Sequence, residues 1–257
     1  MSHYIDLNSD LGESFGNYTL GMDSEVLNHV TSANVACGWH AGDPLIMEAT
    51  VRMCKEKGVA VGAHPGYPDL MGFGRRAMAV NPGEAKAYMT YQLGALQAFC
   101  DSYGVTLQHM KLHGAFYNTA CVTPALADAV LDGLQAVNPN IAAMVLSGSY
   151  IAKEAQRRGI PVIQEVFADR GYTDEGTLVS RTEPGAFIKD PQEALERVLM
   201  MVKEGKVVTN TGNTIDIVAD SICVHGDNPE AIAFTKYIRE GLAKAGVTVA
   251  NFQDRKK

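Results

Sequence analysis

A chain of 257 residues, 46% hydrophobic and 20% charged, is long enough to bury a large core and has the composition of a globular protein. Its formal net charge of −7, with no cluster of Lys and Arg, excludes nucleic acid and anionic membrane surfaces as expected partners. Five scattered cysteines without a C-x-x-C pair exclude a disulfide framework or zinc ribbon. With no apolar signal core and no run of about 18 apolar residues, a cytoplasmic protein is expected.

The chain opens on a strand at 4–8, where Ile5 and Leu7 alternate with Asp6 and Asn8. It runs into a loop with two carboxylates, Asp10 and Glu13, around the turn-former Gly12. Further strands are expected at 32–37, 59–63, 107–112, 142–146, 161–166, 221–224 and 247–250. Helices are expected at 25–31, 44–57, 82–103, 124–136, 149–158, 191–204 and 229–245. The helix starts carry a cap residue followed by proline: Asp43-Pro44, Asn81-Pro82, Thr123-Pro124, Asp190-Pro191 and Asn228-Pro229. Gly58, Gly104, Gly159, Gly205 and Gly246 mark helix ends. Two long loops, 64–80 and 168–189, interrupt the alternation, and a small hairpin is expected at 206–218.

Alternating strands and helices imply parallel strands joined by right-handed crossovers. The expected fold is an α/β protein: one domain, 1–257, forming an irregular TIM-like barrel of seven or eight mostly parallel strands. An open doubly wound sheet is the alternative; no G-x-G-x-x-G follows a strand, which weakens its dinucleotide-binding version.

Four of the seven histidines, His40, His64, His113 and His225, follow strand C-terminal ends. Asp10, Glu165, Asp169, Arg170 and Asp227 lie at or near such ends too. In a barrel these tips converge on one face, so residues far apart in sequence would share a pocket. Asp10 is expected beside at least two of the histidines. Lys111, inside an apolar strand, could hold a carboxylate or give up a proton at lowered pKa; a lysine snorkelling to the rim is the plainer reading. Glu165, in a largely apolar strand, requires a partner or a raised pKa, and Arg170 is its nearest candidate in sequence. Arg75-Arg76 could clamp a carboxylate or phosphate, as could Arg181, although solvated arginines are the commoner case. Asp10, His40 and His64 would make a divalent-metal site of two imidazoles and one carboxylate. No G-x-S-x-G or G-x-x-x-x-G-K-[ST] is present, so a serine nucleophile is not expected and ATP would need another mode or another subunit.

Six motifs, in order along nearly the whole chain, resemble the LamB/YcsF lactam-utilisation family. They are Asp6-Leu7-Asn8-Ser9-Asp10-Leu11-Gly12-Glu13, the run Ser32 to Pro44 around Cys37-Gly38-Trp39-His40, and Gly62-Ala63-His64-Pro65-Gly66-Tyr67-Pro68-Asp69. Lys111-Leu112-His113-Gly114-Ala115-Phe116-Tyr117-Asn118, Glu165-Val166-Phe167-Ala168-Asp169-Arg170 and Ile222 to Pro229 complete the set. Trp39 stands where Phe is common and Leu112 where Pro is common; neither removes a reactive group. The resemblance implies the barrel of the glycoside hydrolase/deacetylase superfamily. It also implies one component of a bacterial 5-oxoprolinase that opens 5-oxo-L-proline to L-glutamate with ATP as co-substrate and two partner subunits, B and C.

On that reading Asp10 or Glu165 is the base, with Glu13 beside them, and His113 or Lys111 is the proton donor. Asn8, Arg75, Arg76, Asp169, Arg170, His225 and Asp227 are the expected substrate contacts. A stand-alone metal-dependent deacetylase or amidohydrolase, and a non-catalytic 5-oxoproline-binding subunit, are the alternatives.

Overall fold

The computed structural model describes residues 3–226 and 228–254; the expected contact Asp227 lies outside them. The elements follow as β1 (His3–Leu11), α1 (Asp23–Val26), β2 (Ser32–Ala36), α2 (Pro44–Lys57), β3 (Ala60–His64), α3 (Pro82–Tyr103), β4 (Leu107–Met110), α4 (Gly114–Val122) and α5 (Pro124–Val137). Then come β5 (Ala142–Leu146), α6 (Tyr150–Arg157), β6 (Val162–Phe167), α7 (Pro191–Glu204), β7 (Lys206–Val208), β8 (Thr214–Asp216), β9 (Ser221–Cys223), α8 (Pro229–Lys244) and β10 (Val247–Val249).

Local chemistry sets the helix starts. The Asp43 carboxylate accepts from the Leu45 and Ile46 N–H groups, and Asp190 and Asn228 accept from Glu193 and Ala231. Asn81 and Glu84 form a reciprocal capping box at α3. Thr123 precedes α5 without a side-chain cap bond. Helix α4 has no sequence signal: it starts at Gly114, and His113 makes no cap bond.

Seven parallel strands close the barrel in the order β1-β2-β3-β4-β5-β6-β9, with β9 returning to β1 through Asp6↔Ser221, Leu7↔Ile222 and Asn8↔Cys223. The last strand, β10, stays outside this ring. It pairs with the start of β1, His3–Ile5, while the following residues of β1 pair with β9. Every residue of β2 and β5 is buried, as expected for strands covered on both faces. Strands β7 and β8 form a separate antiparallel pair. Among the described residues no single helix is long and apolar enough to cross a membrane.

The apolar core includes Met89, Leu93 and Leu96 of α3 and Val130 and Leu134 of α5, together with sheet residues such as Leu7, Val35 and Val61. The barrel also buries polar side chains: Asp6, Asn8, Asn34, His109, Lys111 and Glu165. Asp6 accepts from Thr31 Oγ1 at 2.6 Å, from Ser32 Oγ at 2.7 Å and from Ser221 Oγ. Gly62 leaves room for the His109 ring, since a β-carbon there would sit 2.1 Å from Nε2. Gly62→Ala is therefore expected to lower stability by about 1–3 kcal/mol through overpacking. Urea denaturation of the two proteins measures it, and an unchanged midpoint would contradict the close fit.

Candidate active site

Lys111 follows β4, and its N–H donates to the Ala63 carbonyl. Its side chain is 3% exposed. The ammonium lies 2.7 Å from Glu165 Oε1 and 3.1 Å from each of Asp10 Oδ1, Asn8 Oδ1 and Cys223 Sγ. Asn34 Nδ2 donates to Asn8 Oδ1 and Asp10 Oδ1 at 2.8 Å, while His109 Nε2 is 2.7 Å from Asn34 Oδ1. Tyr117 donates its hydroxyl proton to Glu165 Oε2 at 2.7 Å. Burial opposes the charge on Lys111, but Asp10, Cys223 and Glu165 outweigh it and hold its pKa well above the lysine range. Two expectations are thereby corrected. Lys111 is no proton donor of lowered pKa, and it, not Arg170, is the partner of Glu165.

Strand β1 runs to Leu11, so Asp10 is still a strand residue; Glu13 follows the left-handed turn at Gly12. The two carboxyls consequently meet different partners. Asp10 Oδ2 pairs with one tip histidine, His64, at 3.2 Å. Glu13 Oε1 reaches two, His40 Nε2 at 3.1 Å and His113 Nδ1 at 3.6 Å. Burial raises the Asp10 pKa, but His64 and Lys111 overcome it and hold the carboxyl well below its usual range. Burial and the Asp10 charge push Glu13 up.

The histidine tautomers can be read from their outer partners. His64 Nδ1 lies 2.8 Å from the Lys111 carbonyl and His113 Nε2 lies 2.8 Å from the Phe73 carbonyl. A carbonyl only accepts, so both of these nitrogens carry the proton. In neutral rings the inner nitrogens, His64 Nε2 and His113 Nδ1, then present lone pairs to each other at 2.9 Å. That arrangement requires a proton or a cation. His40 stacks on His113 with centroids 3.7 Å apart and planes at 3°, and its buried Nδ1 has no hydrogen-bond partner. Gly74 permits the stack, because a β-carbon there would lie 2.8 Å from both rings' residues. Burial, then the neighbouring histidine charge, holds His40 and His113 well below the histidine range.

One donor atom from each of Glu13, His40, His64 and His113 falls within 4.8 Å of the others. Neutral imidazoles and a carboxylate, with the far nitrogens of two rings fixed by carbonyls, fit a borderline divalent ion such as Zn²⁺. This group differs from the expected set of Asp10, His40 and His64: Glu13 and His113 join it, and Asp10 stands beside it against Lys111.

The pocket has a volume of about 600 Å³, and Asp10, Glu13, Lys111, His113, Arg75 and His225 are among its lining residues. His225 Nδ1 lies 2.8 Å from Asp169 Oδ2. Burial lowers His225, but the Asp169 carboxylate outweighs it, and the histidine is raised. Three expected substrate contacts do not line this space: Asn8, Arg76 and Asp169, the last paired with His225. Asn8 is spent on Ser221, Lys111 and Asn34. Arg76, 67% exposed, pairs with Asp69 instead. Arg170 lines the pocket but donates to the Ala186 and Val179 carbonyls. Asn34, His109, Tyr117 and Cys223 join the site although sequence reasoning does not single them out. His109 is detectable: it precedes Lys111 by two residues and so shares its strand face.

Fold and pocket together define a parallel β/α barrel with a histidine–carboxylate centre at the C-terminal mouth of its strands. The family model of LamB/YcsF matches residues 5–257, and the chain belongs to that family. It is 60% identical over 254 residues to the protein named as the A-subunit of 5-oxoprolinase in Fusobacterium nucleatum subsp. nucleatum, covering 99% of each chain. It is 53% identical over 250 residues to the protein of the same name from Pyrococcus abyssi, covering 97% of this chain and 98% of that one. The crystal structure of a lactam utilization protein from Thermus thermophilus superposes with a TM-score of 0.92 at 44% identity, covering 97% of this chain and all of that one.

Replacing Lys111 with Met leaves the buried Glu165 without its countercharge and the half-buried Asp10 with His64 alone beside it. The expected loss is about 3–5 kcal/mol at neutral pH, shrinking on acidification as a carboxyl takes up the missing proton. Denaturation at two pH values tests this, and a pH-independent loss would refute it. For the metal centre, Zn²⁺ at about 100 times its dissociation constant should stabilise the chain by about 2.7 kcal/mol. His64→Ala should abolish that rise in thermal stability; an equal rise in the variant would dismiss the cluster as the binding site.

Proposed function

We propose that this chain is the lactam-handling component of an ATP-dependent 5-oxoprolinase, acting with two partner subunits, B and C, to convert 5-oxo-L-proline to L-glutamate in the cytoplasm. The observation that carries this reading is the full-length similarity to chains named as the A-subunit of 5-oxoprolinase. The pocket supplies the acid–base pair that lactam opening needs. An amide carbon is a poor electrophile, so transfer of the ATP γ-phosphate to the lactam oxygen, with ADP leaving, activates it. Water then adds to that carbon while the Asp10 carboxylate takes its proton. The ring C–N bond breaks as Glu13, the carboxyl of raised pKa, protonates the departing nitrogen. The product is an acyl phosphate, from which a second water releases glutamate and phosphate.

His113 is poorly suited to be the donor because its Nε2–H is committed to the Phe73 carbonyl, and the Lys111 ammonium is held between carboxylates. Lys111 instead fixes Asp10 as the ionised partner. His225, paired with Asp169, offers a positive contact for the substrate carboxylate.

The facing lone pairs of His64 and His113 favour a second reading, a metal-dependent amidohydrolase that needs no ATP. There Glu13, His40, His64 and His113 would hold the ion, which supplies Lewis acidity and a more acidic water. Glutamate release from 5-oxoproline, measured with and without ATP, divalent metal and partner subunits, separates the two. The first reading expects release only with ATP and partners. In that complex Asp10→Asn should lower kcat by about 10²–10⁴-fold. Release by the isolated chain without ATP, or an unaltered kcat in the variant, would overturn it.

A further inference from the structure

Two of the cations lining the pocket make no side-chain ion pair or hydrogen bond among the described residues, and the charges of Glu13, Asp169 and Asp10 reach them only from farther off. Arg75 and Arg181 both line it, and among the described residues neither guanidinium has an acidic partner at ion-pair distance. Their neighbours in sequence and space are committed: Arg76 to Asp69, and Arg170 to the carbonyls of Val179 and Ala186. Each free guanidinium lies instead over an aromatic ring. Arg75 Cζ is 5.1 Å from the Phe73 ring centroid, and Arg181 Cζ is 5.3 Å from that of Phe187. Cation–π contact uses the face of a guanidinium and leaves its N–H edge for a ligand.

The loop bearing Arg181 is anchored for this placement. Arg170 sits over the same Phe187 ring, at 5.1 Å, while its N–H groups tie Val179 and Ala186. Backbone bonds from Gly171 to Ala186, Val179 to Gly171 and Ile188 to Asp169 fasten the two ends of the loop. Arg75 is likewise set by a turn, its N–H donating to Gly72, beside Gly74, whose carbonyl accepts from Ala115. Burial, and next the charge of Arg75, lowers the pKa of Arg181, so the two cations feel one another. A pocket of about 600 Å³ falls in the range of drug-sized ligands and exceeds the needs of a five-membered lactam bearing one carboxyl.

We propose that Arg75 and Arg181 form a seat for a phosphoryl dianion in this pocket, receiving the phosphate that activates the lactam. The assignment deepens the 5-oxoprolinase reading and rests on it for the identity of that phosphate. Two guanidiniums without ion-pair partners match the double charge of a phosphoryl group and its several acceptor oxygens, whereas a carboxylate needs only one fork.

The test is calorimetric titration of the full chain with inorganic phosphate, with a non-hydrolysable ATP analogue and with acetate. Phosphate should bind, and Arg181→Met or Arg75→Met should weaken it at least tenfold without moving the melting temperature. Arg181→Lys should keep part of the affinity. Tighter binding of the analogue than of phosphate, lost in the same variants, would identify the nucleotide as the source of the phosphoryl group. Tighter binding of phosphate would identify the transferred group itself. Equal phosphate binding by wild type and Arg181→Met, or acetate binding as tightly as phosphate, would overturn the seat. In the reconstituted complex, Arg181→Met should raise KM for ATP or abolish release of glutamate. If the wild-type complex makes no glutamate, the 5-oxoprolinase reading fails; if Arg181→Met makes it at the wild-type rate and KM, the seat alone fails.

Discussion

The Lys111 ammonium lies inside the barrel, 2.7 Å from Glu165 and 3.1 Å from Asp10, and the polar interior is ordered around it. Removing such charges from water costs several kcal/mol per ion. That cost is offset where protons and lone pairs find partners, and here several neighbouring side chains supply them. Asn8 and Cys223 take up the remaining reach of the ammonium, Tyr117 satisfies the second oxygen of Glu165, and Asn34 joins Asp10 to Asn8 and His109. Below them Asp6 accepts from three hydroxyls. An error in one member would leave a neighbour buried and unpaired, so the network fixes the register of the strands that carry it.

His64 and the same ammonium together hold Asp10 the more acidic of the two carboxyls. Asp10 and Glu13 are close enough to influence one another, and both are half-buried, so the site resists ionising both. Lys111 and His64 stand at Asp10, and the neutral faces of His40 and His113 stand at Glu13. The two carboxyls are therefore pushed in opposite directions, Asp10 down and Glu13 up. Two residues three apart in sequence, separated by the turn at Gly12, thus carry carboxyls of unlike acidity.

Much of this was legible in the residues. Cap residues followed by proline located α2, α3, α7 and α8, because those side chains do accept the free N–H groups. The rule that strand tips share one face brought His40, His64, His113 and His225 to one end of the barrel on pattern alone. What stayed hidden was set by contacts between distant segments. Nothing local announces α4, which follows a histidine that caps nothing. Arg75 and Arg76 are equivalent as letters, yet Asp69 takes one and leaves the other facing the pocket. Arg170 is nearest to Glu165 in sequence, but β4 and β6 bring Lys111 closer in space. Likewise β1 serves both β10 and β9, which no single-strand period encodes.

The division of the pocket into unlike electrostatic regions follows from these pairings. An acidic protein, at −7, repels an anionic substrate as a whole. Capture of a carboxylate or phosphate therefore depends on a local reversal of the field. Around the reacting groups, carboxylates outnumber the lysine, which suits proton transfer or a cation held by histidines. Elsewhere in the pocket Arg75 and Arg181 make no ion pair among the described residues, and the Asp169 carboxylate raises the pKa of His225. Had Asp69 paired with Arg75 instead of Arg76, the positive region would lose one of its two free guanidiniums while the overall charge stayed the same. The choice of partner for each arginine, rather than the number of arginines, sets the local charge of the pocket.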